Sequence, residues 1–138
     1  MINMTSIYKT TAINETTVPN QTRIEDGLAL TMTPPLDQQE GSNPEQLLAM
    51  SWATCLNATT QALLKARKLE HNSRVRVEVD LHKEANGVGF YFSAYAYLAV
   101  EGFTLEESER LVRQAHERCP VSKLIHGNEH VDVFVESY

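Results

Sequence analysis

Two cysteines, Cys55 and Cys119, are the residues of this chain best suited to chemistry, and they lie far apart in the sequence. A thiolate is a strong nucleophile and a good metal ligand, and two thiols that meet can form a disulfide. Free cysteine is also among the most buried residue types. Composition therefore leaves three interpretations open: inert core thiols, a metal-binding pair, or a redox pair.

The surroundings of Cys55 predict a long central helix. Asn43, Pro44 and Glu45 form a helix start, with a capping residue, a proline at the first helical position and a carboxylate at the positive end of the dipole. The helical pattern runs to about residue 68, and its middle part, 47–56, is apolar nearly all round. Such a helix is expected to be buried on most sides.

Cys119 is predicted to lie at the end of a second helix. Thr104 and Glu107 form a capping box that starts this helix. Leu111, Ala115 and Cys119 follow at a spacing of four residues, which places Cys119 on the core side. If residues 120–126 form another short helix after Pro120, its N-terminus favours a thiolate at Cys119.

The remaining chain reads as strands and loops. Alternating patterns predict strands over 5–13, 28–33, 74–82, 88–100 and 131–135. Residues 14–27 are predicted to be a loop or an irregular hairpin connection, and 34–42 a loop. The order β-β-α-β-β-α-β with short turns favours an α+β fold in which antiparallel sheets pack on the central helix. With 138 residues, the chain is expected to form a single domain, 1–138.

Charge and composition exclude several classes of partner. The chain has 12 basic and 18 acidic residues and no basic run, so we expect neither a nucleic-acid partner nor a membrane anchor. No segment has the length of a membrane span, and residues 1–11 lack the layout of a signal peptide. Together with the absence of a disulfide framework, this predicts a cytoplasmic protein.

A metal site is the weaker chemical alternative. Its ligands would be Cys55, His116, Cys119 and His126, but zinc sites usually combine two closely spaced pairs, and Cys55 has no neighbouring ligand in the sequence. Nucleophile-elbow and glycine-rich phosphate motifs are absent. We therefore expect neither a bound metal nor a cofactor.

Several short motifs together resemble the OsmC/Ohr family of organic hydroperoxide resistance proteins, and the Ohr branch most closely. They are Asn-Pro-Glu-Gln-Leu at 43–47, Ala-Thr-Cys at 53–55, Ala-His-x-x-Cys-Pro at 115–120 and Gly-Asn at 127–128. The resemblance covers essentially the whole chain. It implies the OsmC-like fold and an intertwined homodimer with active sites at the interface.

The resemblance also implies a reaction. Cys55 corresponds to the cysteine that attacks the peroxide, and Cys119 to the one that resolves the resulting sulfenic acid as a disulfide. The implied substrates are organic and fatty-acid hydroperoxides, and the implied reductant is a dithiol, typically a lipoylated protein. We expect an apolar substrate pocket that includes Leu47, Met50 and Trp52.

Two charged residues complete the implied site. Glu45 matches the family's catalytic glutamate, but it lies about 15 Å from Cys55 along a straight helix. Either the helix breaks between them, or Glu45 serves Cys55 of the partner chain. The family's catalytic arginine has no counterpart in 16–22, and Arg23 is the nearest guanidinium. This departure leaves open a repurposed relative that binds a small ligand or senses redox state.

Overall fold

The computed structural model describes residues 5–37 and 39–138, which form two compact units. The first ends at Pro44 and the second spans Glu45–Tyr138. Each has its own sheet of three strands. That the chain acts as one domain, 1–138, stays a prediction.

The N-terminal unit is a small antiparallel sheet. Its strands are β1 (Ala12–Ile13), β2 (Gln21–Ile24) and β3 (Ala29–Thr31), in that spatial order. β3 confirms the strand predicted over 28–33, whereas β1 is much shorter than the predicted strand. The loop predicted over 14–27 is wrong in part, because it contains β2. That strand is mostly polar and is held by backbone pairing to a strand on each side. Its residues therefore lack the alternation of apolar and polar side chains from which a strand is predicted.

The C-terminal unit begins with α1 (Pro44–Ala66), which starts where the sequence predicts. Its buried residues recur every three or four positions along one face: Trp52, Leu56, Thr60, Leu63 and Leu64. The prediction that this helix is buried on most sides is wrong for the single chain, since the Met50 side chain is 55% exposed. Only one stripe of the helix faces the core of its own unit, and the other apolar positions point away from that core.

The second sheet combines a long hairpin with a returning strand. β4 (Ser73–Lys83) and β5 (Phe90–Val100) pair antiparallel along their full lengths, as predicted. The last strand, β6 (Val131–Val135), pairs parallel to β5, so the expectation of purely antiparallel sheets is wrong here. Two helices connect β5 to β6 and return the chain to the start of β5, and such a crossover produces parallel pairing.

Those two helices meet at Cys119. α2 (Leu105–Arg118) begins with the predicted capping box, in which Thr104 and Glu107 each accept a hydrogen bond from the other's backbone N–H. The short α3 (Pro120–Ile125) follows directly, as the sequence suggested. Cys119 is the C-cap of α2 and the N-cap of α3. Its extended backbone therefore forms the corner between the two helices.

The core of the C-terminal unit lies between the helices and one face of the sheet. It joins the buried stripe of α1 to the apolar faces of β5, α2 and β6; buried members from these elements include Ala96, Leu98, Leu111, Val112, Ala115 and Val133. Cys119 belongs to this core and Cys55 packs against it. Within the described residues, no helix combines the length and apolar character needed to cross a membrane.

Candidate functional site

The fold brings the two cysteines together. Cys55 lies in the middle of α1 and is partly exposed, whereas Cys119 is fully buried at the corner between α2 and α3. Both are free thiols, and the neighbouring Cys119 thiol helps to raise the pKa of Cys55. The expectation that both thiols face one core is confirmed.

The first turn of α3 influences both sulfur atoms. A hydrogen-bonding effect of the Val121 backbone lowers the pKa of the Cys55 thiol, in opposition to burial. The N–H of Ser122 donates to Cys119 Sγ at 3.5 Å. Hydrogen bonds of this kind favour the thiolate over the thiol.

The balance of these effects raises the pKa of the Cys55 thiol above its ordinary value. Burial is the largest cause, because a thiolate loses solvation there. The Val121 N–H opposes it, and the neighbouring Cys119 thiol adds to the increase. Together these influences favour the neutral thiol form of Cys55.

A buried tryptophan connects α1 to the same turn. Trp52 Nε1 donates a hydrogen bond to Ser122 Oγ at 2.8 Å, and both residues are fully buried. Sequence reasoning missed Ser122. A signal was present, since a serine two positions after the Cys-Pro pair lies on the first turn of a short helix.

His116 lies beside this pair and opens into a cleft. Its ring centroid is 6.2 Å from that of Trp52, and burial, together with the charge of Arg113, lowers the pKa of His116. His116, Lys123, His126 and Asp132 line a cleft of about 490 Å³. In the described part of the chain, no three His, Cys, Asp or Glu side chains are grouped as ligands for a metal ion. The ligand set considered for zinc is therefore not assembled.

Glu45 occupies the first turn of α1, where the helix dipole favours a carboxylate. Because α1 is continuous from Pro44 to Ala66, the alternative that the helix breaks between Glu45 and Cys55 is wrong. The two residues remain about 15 Å apart along the axis of one helix. A role for Glu45 toward the partner's cysteine stays a prediction.

Arg23 lies on β2 in the N-terminal unit. Its Nη2 is 2.6 Å from Glu15 Oε2 in a partly exposed ion pair. The hydrogen bond from Arg23 is the main cause that lowers the pKa of Glu15, and Thr17 adds to it. Arg23 is thus oriented by a carboxylate that sequence reasoning did not single out, and its proposed role at Cys55 stays a prediction.

The three predicted pocket residues have different environments. Met50 presents an exposed apolar side chain, Leu47 is half-buried and Trp52 is fully buried. Their positions on α1 place them within three turns of the helix from Cys55. Their role in a substrate pocket stays a prediction.

A sequence model of OsmC-like proteins matches residues 37–134, which is most of the chain. The chain belongs to the OsmC family. Membership confirms the resemblance drawn from the cysteine motifs and the Asn-Pro-Glu start of α1. It also accounts for the arrangement of a long helix beside a three-stranded sheet.

Relatives within the OsmC family are named for hydroperoxide resistance. The chain is 33% identical over 127 residues to an organic hydroperoxide resistance protein-like sequence of Mycoplasma genitalium, covering 88% of this chain and 89% of the relative. It is 35% identical over 98 residues to OhrB, an organic hydroperoxide resistance protein of Bacillus subtilis, covering 71% of each.

Solved structures show the same OsmC fold. A Lactobacillus casei protein of 31% identity superposes with a TM-score of 0.89, covering 97% of this chain and 94% of the other. The OhrB structure of Bacillus subtilis superposes with a TM-score of 0.82 at 27% identity, covering 96% of this chain and all of the other. The predicted α+β, OsmC-like fold is confirmed.

Proposed function

We propose that this OsmC-family protein is a thiol-dependent peroxidase that reduces organic hydroperoxides to alcohols and contributes to peroxide resistance. The observation that carries the proposal is that Cys55 and Cys119, far apart in the sequence, both pack into one core, where the Cys119 thiol helps to raise the pKa of Cys55. The hydroperoxide-resistance names of the relatives support the choice of substrate.

In the proposed reaction, the two cysteines act in sequence. The Cys55 thiolate attacks the outer peroxide oxygen, the O–O bond breaks, and the alkoxide takes up a proton to leave as an alcohol. Cys55 becomes a sulfenic acid. Cys119 then attacks the Cys55 sulfur, a disulfide forms, and the hydroxyl leaves as water. An external dithiol, such as a protein-bound lipoyl group, reduces the disulfide and becomes a cyclic disulfide.

The charged residues have distinct proposed roles. Since burial raises the pKa of Cys55, the thiolate requires a nearby positive charge, and Arg23 is the proposed source. Glu45 is proposed to orient that guanidinium at the active site of the partner chain in a homodimer. Leu47 and Met50 are proposed to offer apolar surface to the alkyl group, with Trp52 behind them.

The proposed function is tested by turnover with purified, reduced protein. Cumene hydroperoxide and dihydrolipoamide are added, and dithiol loss is followed together with the mass of the protein. We expect turnover in the wild type, none in Cys55→Ser, and in Cys119→Ser a protein that forms sulfenic acid without an internal disulfide. Cys119→Ser is the matched control, because it retains the attacking thiol. A wild type without turnover and without a Cys55–Cys119 disulfide would refute the proposal.

A second candidate is a redox-sensing or ligand-binding relative without turnover. The ion pair between Arg23 and Glu15 favours this second candidate, because Glu15 engages the guanidinium that is proposed to activate Cys55. In that case peroxide still converts the cysteines to a disulfide, but stoichiometrically and slowly, and dihydrolipoamide is not consumed beyond one equivalent. The same assay distinguishes the two candidates.

A further inference from the structure

A chain of buried hydrogen bonds leads from Trp52 to the sulfur of Cys119. The indole N–H donates to Ser122 Oγ at 2.8 Å, and the backbone N–H of Ser122 donates to Cys119 Sγ at 3.5 Å. All three residues are fully buried. Water cannot replace either bond there, so losing one leaves a buried polar group unsatisfied.

These hydrogen bonds connect Cys119 to α1, the helix that carries Cys55. Trp52 precedes Cys55 by three residues on α1, so the two side chains leave the same side of the helix. α1 carries the Cys55 sulfur directly and, through the indole, holds the segment 119–122.

We propose that Trp52 and Ser122 are positioning residues that hold Cys119 against Cys55, so that Cys119 captures the sulfenic acid before a second peroxide molecule reaches it. This inference rests on the proposed peroxidase function. The two fates of the sulfenic acid differ in their chemistry. Attack by Cys119 forms an S–S bond, breaks the S–O bond and releases water, whereas a second hydroperoxide transfers an oxygen atom, leaves as an alcohol and produces a sulfinic acid.

A purely structural role for Trp52 makes a different prediction. A buried indole N–H usually finds some partner, and removing that partner then affects stability alone. The present partner is unusual, because the residue that accepts from the indole also donates to the resolving sulfur. If the bond from Trp52 to Ser122 aligns Cys119 with Cys55, its loss diverts the sulfenic acid from the disulfide toward the sulfinic acid. Small misalignments have large effects on rate.

The test compares Ser122→Ala and Trp52→Phe with the wild type. Reduced proteins receive increasing cumene hydroperoxide, reactions are quenched with dimedone, and mass spectrometry counts thiol, sulfenic acid, disulfide and sulfinic acid. Leu64→Val is the matched control, since Leu64 is fully buried on α1 but lies about 18 Å from Trp52 along the helix axis. Cys119→Ser sets the limit in which nothing captures the sulfenic acid.

We expect Ser122→Ala to lose Cys55 thiol as fast as the wild type, and both variants to reach half-maximal sulfinic acid at about 10- to 100-fold lower peroxide. The control should match the wild type, and a Trp52→Phe/Ser122→Ala double variant should be no worse than the more affected single variant. If Trp52→Phe does not fold, Ser122→Ala decides alone, because it removes a single oxygen atom.

Two results would overturn the inference, and they are distinguishable. In the first, the wild type forms a disulfide, and Ser122→Ala divides its sulfenic acid between disulfide and sulfinic acid in the same ratio as the wild type. This result overturns the positioning role and leaves the peroxidase proposal standing. A wild type that forms no disulfide with peroxide overturns the proposed function, and this inference with it.

Discussion

At the scale of the residue, Cys55 experiences opposing influences. Burial and the neighbouring Cys119 thiol favour the neutral form, and the N–H of Val121 favours the thiolate. Burial is the largest cause, so the pKa of Cys55 is raised in this chain. The proposed attack on peroxide therefore calls for a positive charge near Cys55.

Replacing Arg23 with alanine tests whether it supplies this charge. If the guanidinium stabilises the thiolate and the departing oxygen, Arg23→Ala should slow oxidation of Cys55 by on the order of 100-fold. Glu15→Gln is the matched control, since it breaks the same ion pair but keeps the guanidinium, and it should preserve or increase the rate. Stopped-flow measurement of peroxide consumption gives both rates, and an Arg23→Ala rate equal to that of the wild type removes Arg23 from the site.

The raised pKa of Cys55 predicts an alkaline loss of stability. The folded state holds the thiol proton more tightly than the unfolded state, where the pKa is about 8.5. This contribution is fully present below that pH and is lost as pH rises through the higher folded pKa. Urea unfolding of reduced protein at increasing pH should show the wild type losing stability relative to Cys55→Ser above about pH 8.5. Parallel curves for the two proteins would contradict the raised pKa.

At the scale of the element, α2 and α3 determine where Cys119 lies. Cys119 ends one helix and caps the next, and its backbone N–H is bonded to the Ala115 carbonyl. The sulfur position therefore depends on the corner between the helices more than on any charged neighbour. The capping box at the distant start of α2 contributes to the stability of the helix, not to the geometry of this corner.

Thr104→Ala separates these two contributions. It removes the hydroxyl that accepts from the Glu107 N–H, and loss of such a cap costs about 1 kcal/mol of unfolding free energy. Thr104→Ser retains the acceptor and is the control. Chemical denaturation should show the loss for alanine only, while the rate of disulfide formation stays at its wild-type value. A slowed disulfide step in Thr104→Ala would show that the whole helix positions Cys119.

At the scale of the whole molecule, a group of exposed apolar side chains lies at the end of the β4–β5 hairpin. Leu81, Val88, Phe90 and Phe92 are between 39% and 76% exposed there. Exposed apolar clusters commonly mark association surfaces. This is consistent with the proposed homodimer, in which a second copy would cover part of this surface and complete the active site.

The proposed dimer is tested by the molar mass in solution. Size-exclusion chromatography with light scattering should give twice the chain mass of 15.5 kDa. Phe90→Glu should shift the equilibrium toward the monomer, because burying a carboxylate in an apolar interface is costly. Leu105→Glu, an exposed position at the start of α2, is the control and should leave the mass unchanged. A wild type of monomer mass would contradict the proposal.

The sequence by itself determined the elements that carry the chemistry. The Asn-Pro-Glu start of α1, the capping box of α2 and the alternation of β4 and β5 are local signals, and each is present where expected. The core-facing position of Cys119 followed from its spacing behind Leu111 and Ala115. Such features depend on residues within a few positions of each other, so periodicity and capping suffice to predict them.

Only the tertiary structure decided which of these features meet. The placement of both cysteines against one core, the bond from Trp52 to Ser122 and the parallel pairing of β6 join residues from distant parts of the chain. The pairing of Arg23 with Glu15 depends on the course of a polar strand that carries no apolar pattern. Long-range contacts arise from packing of the complete core, and no local pattern encodes which partners that packing brings together.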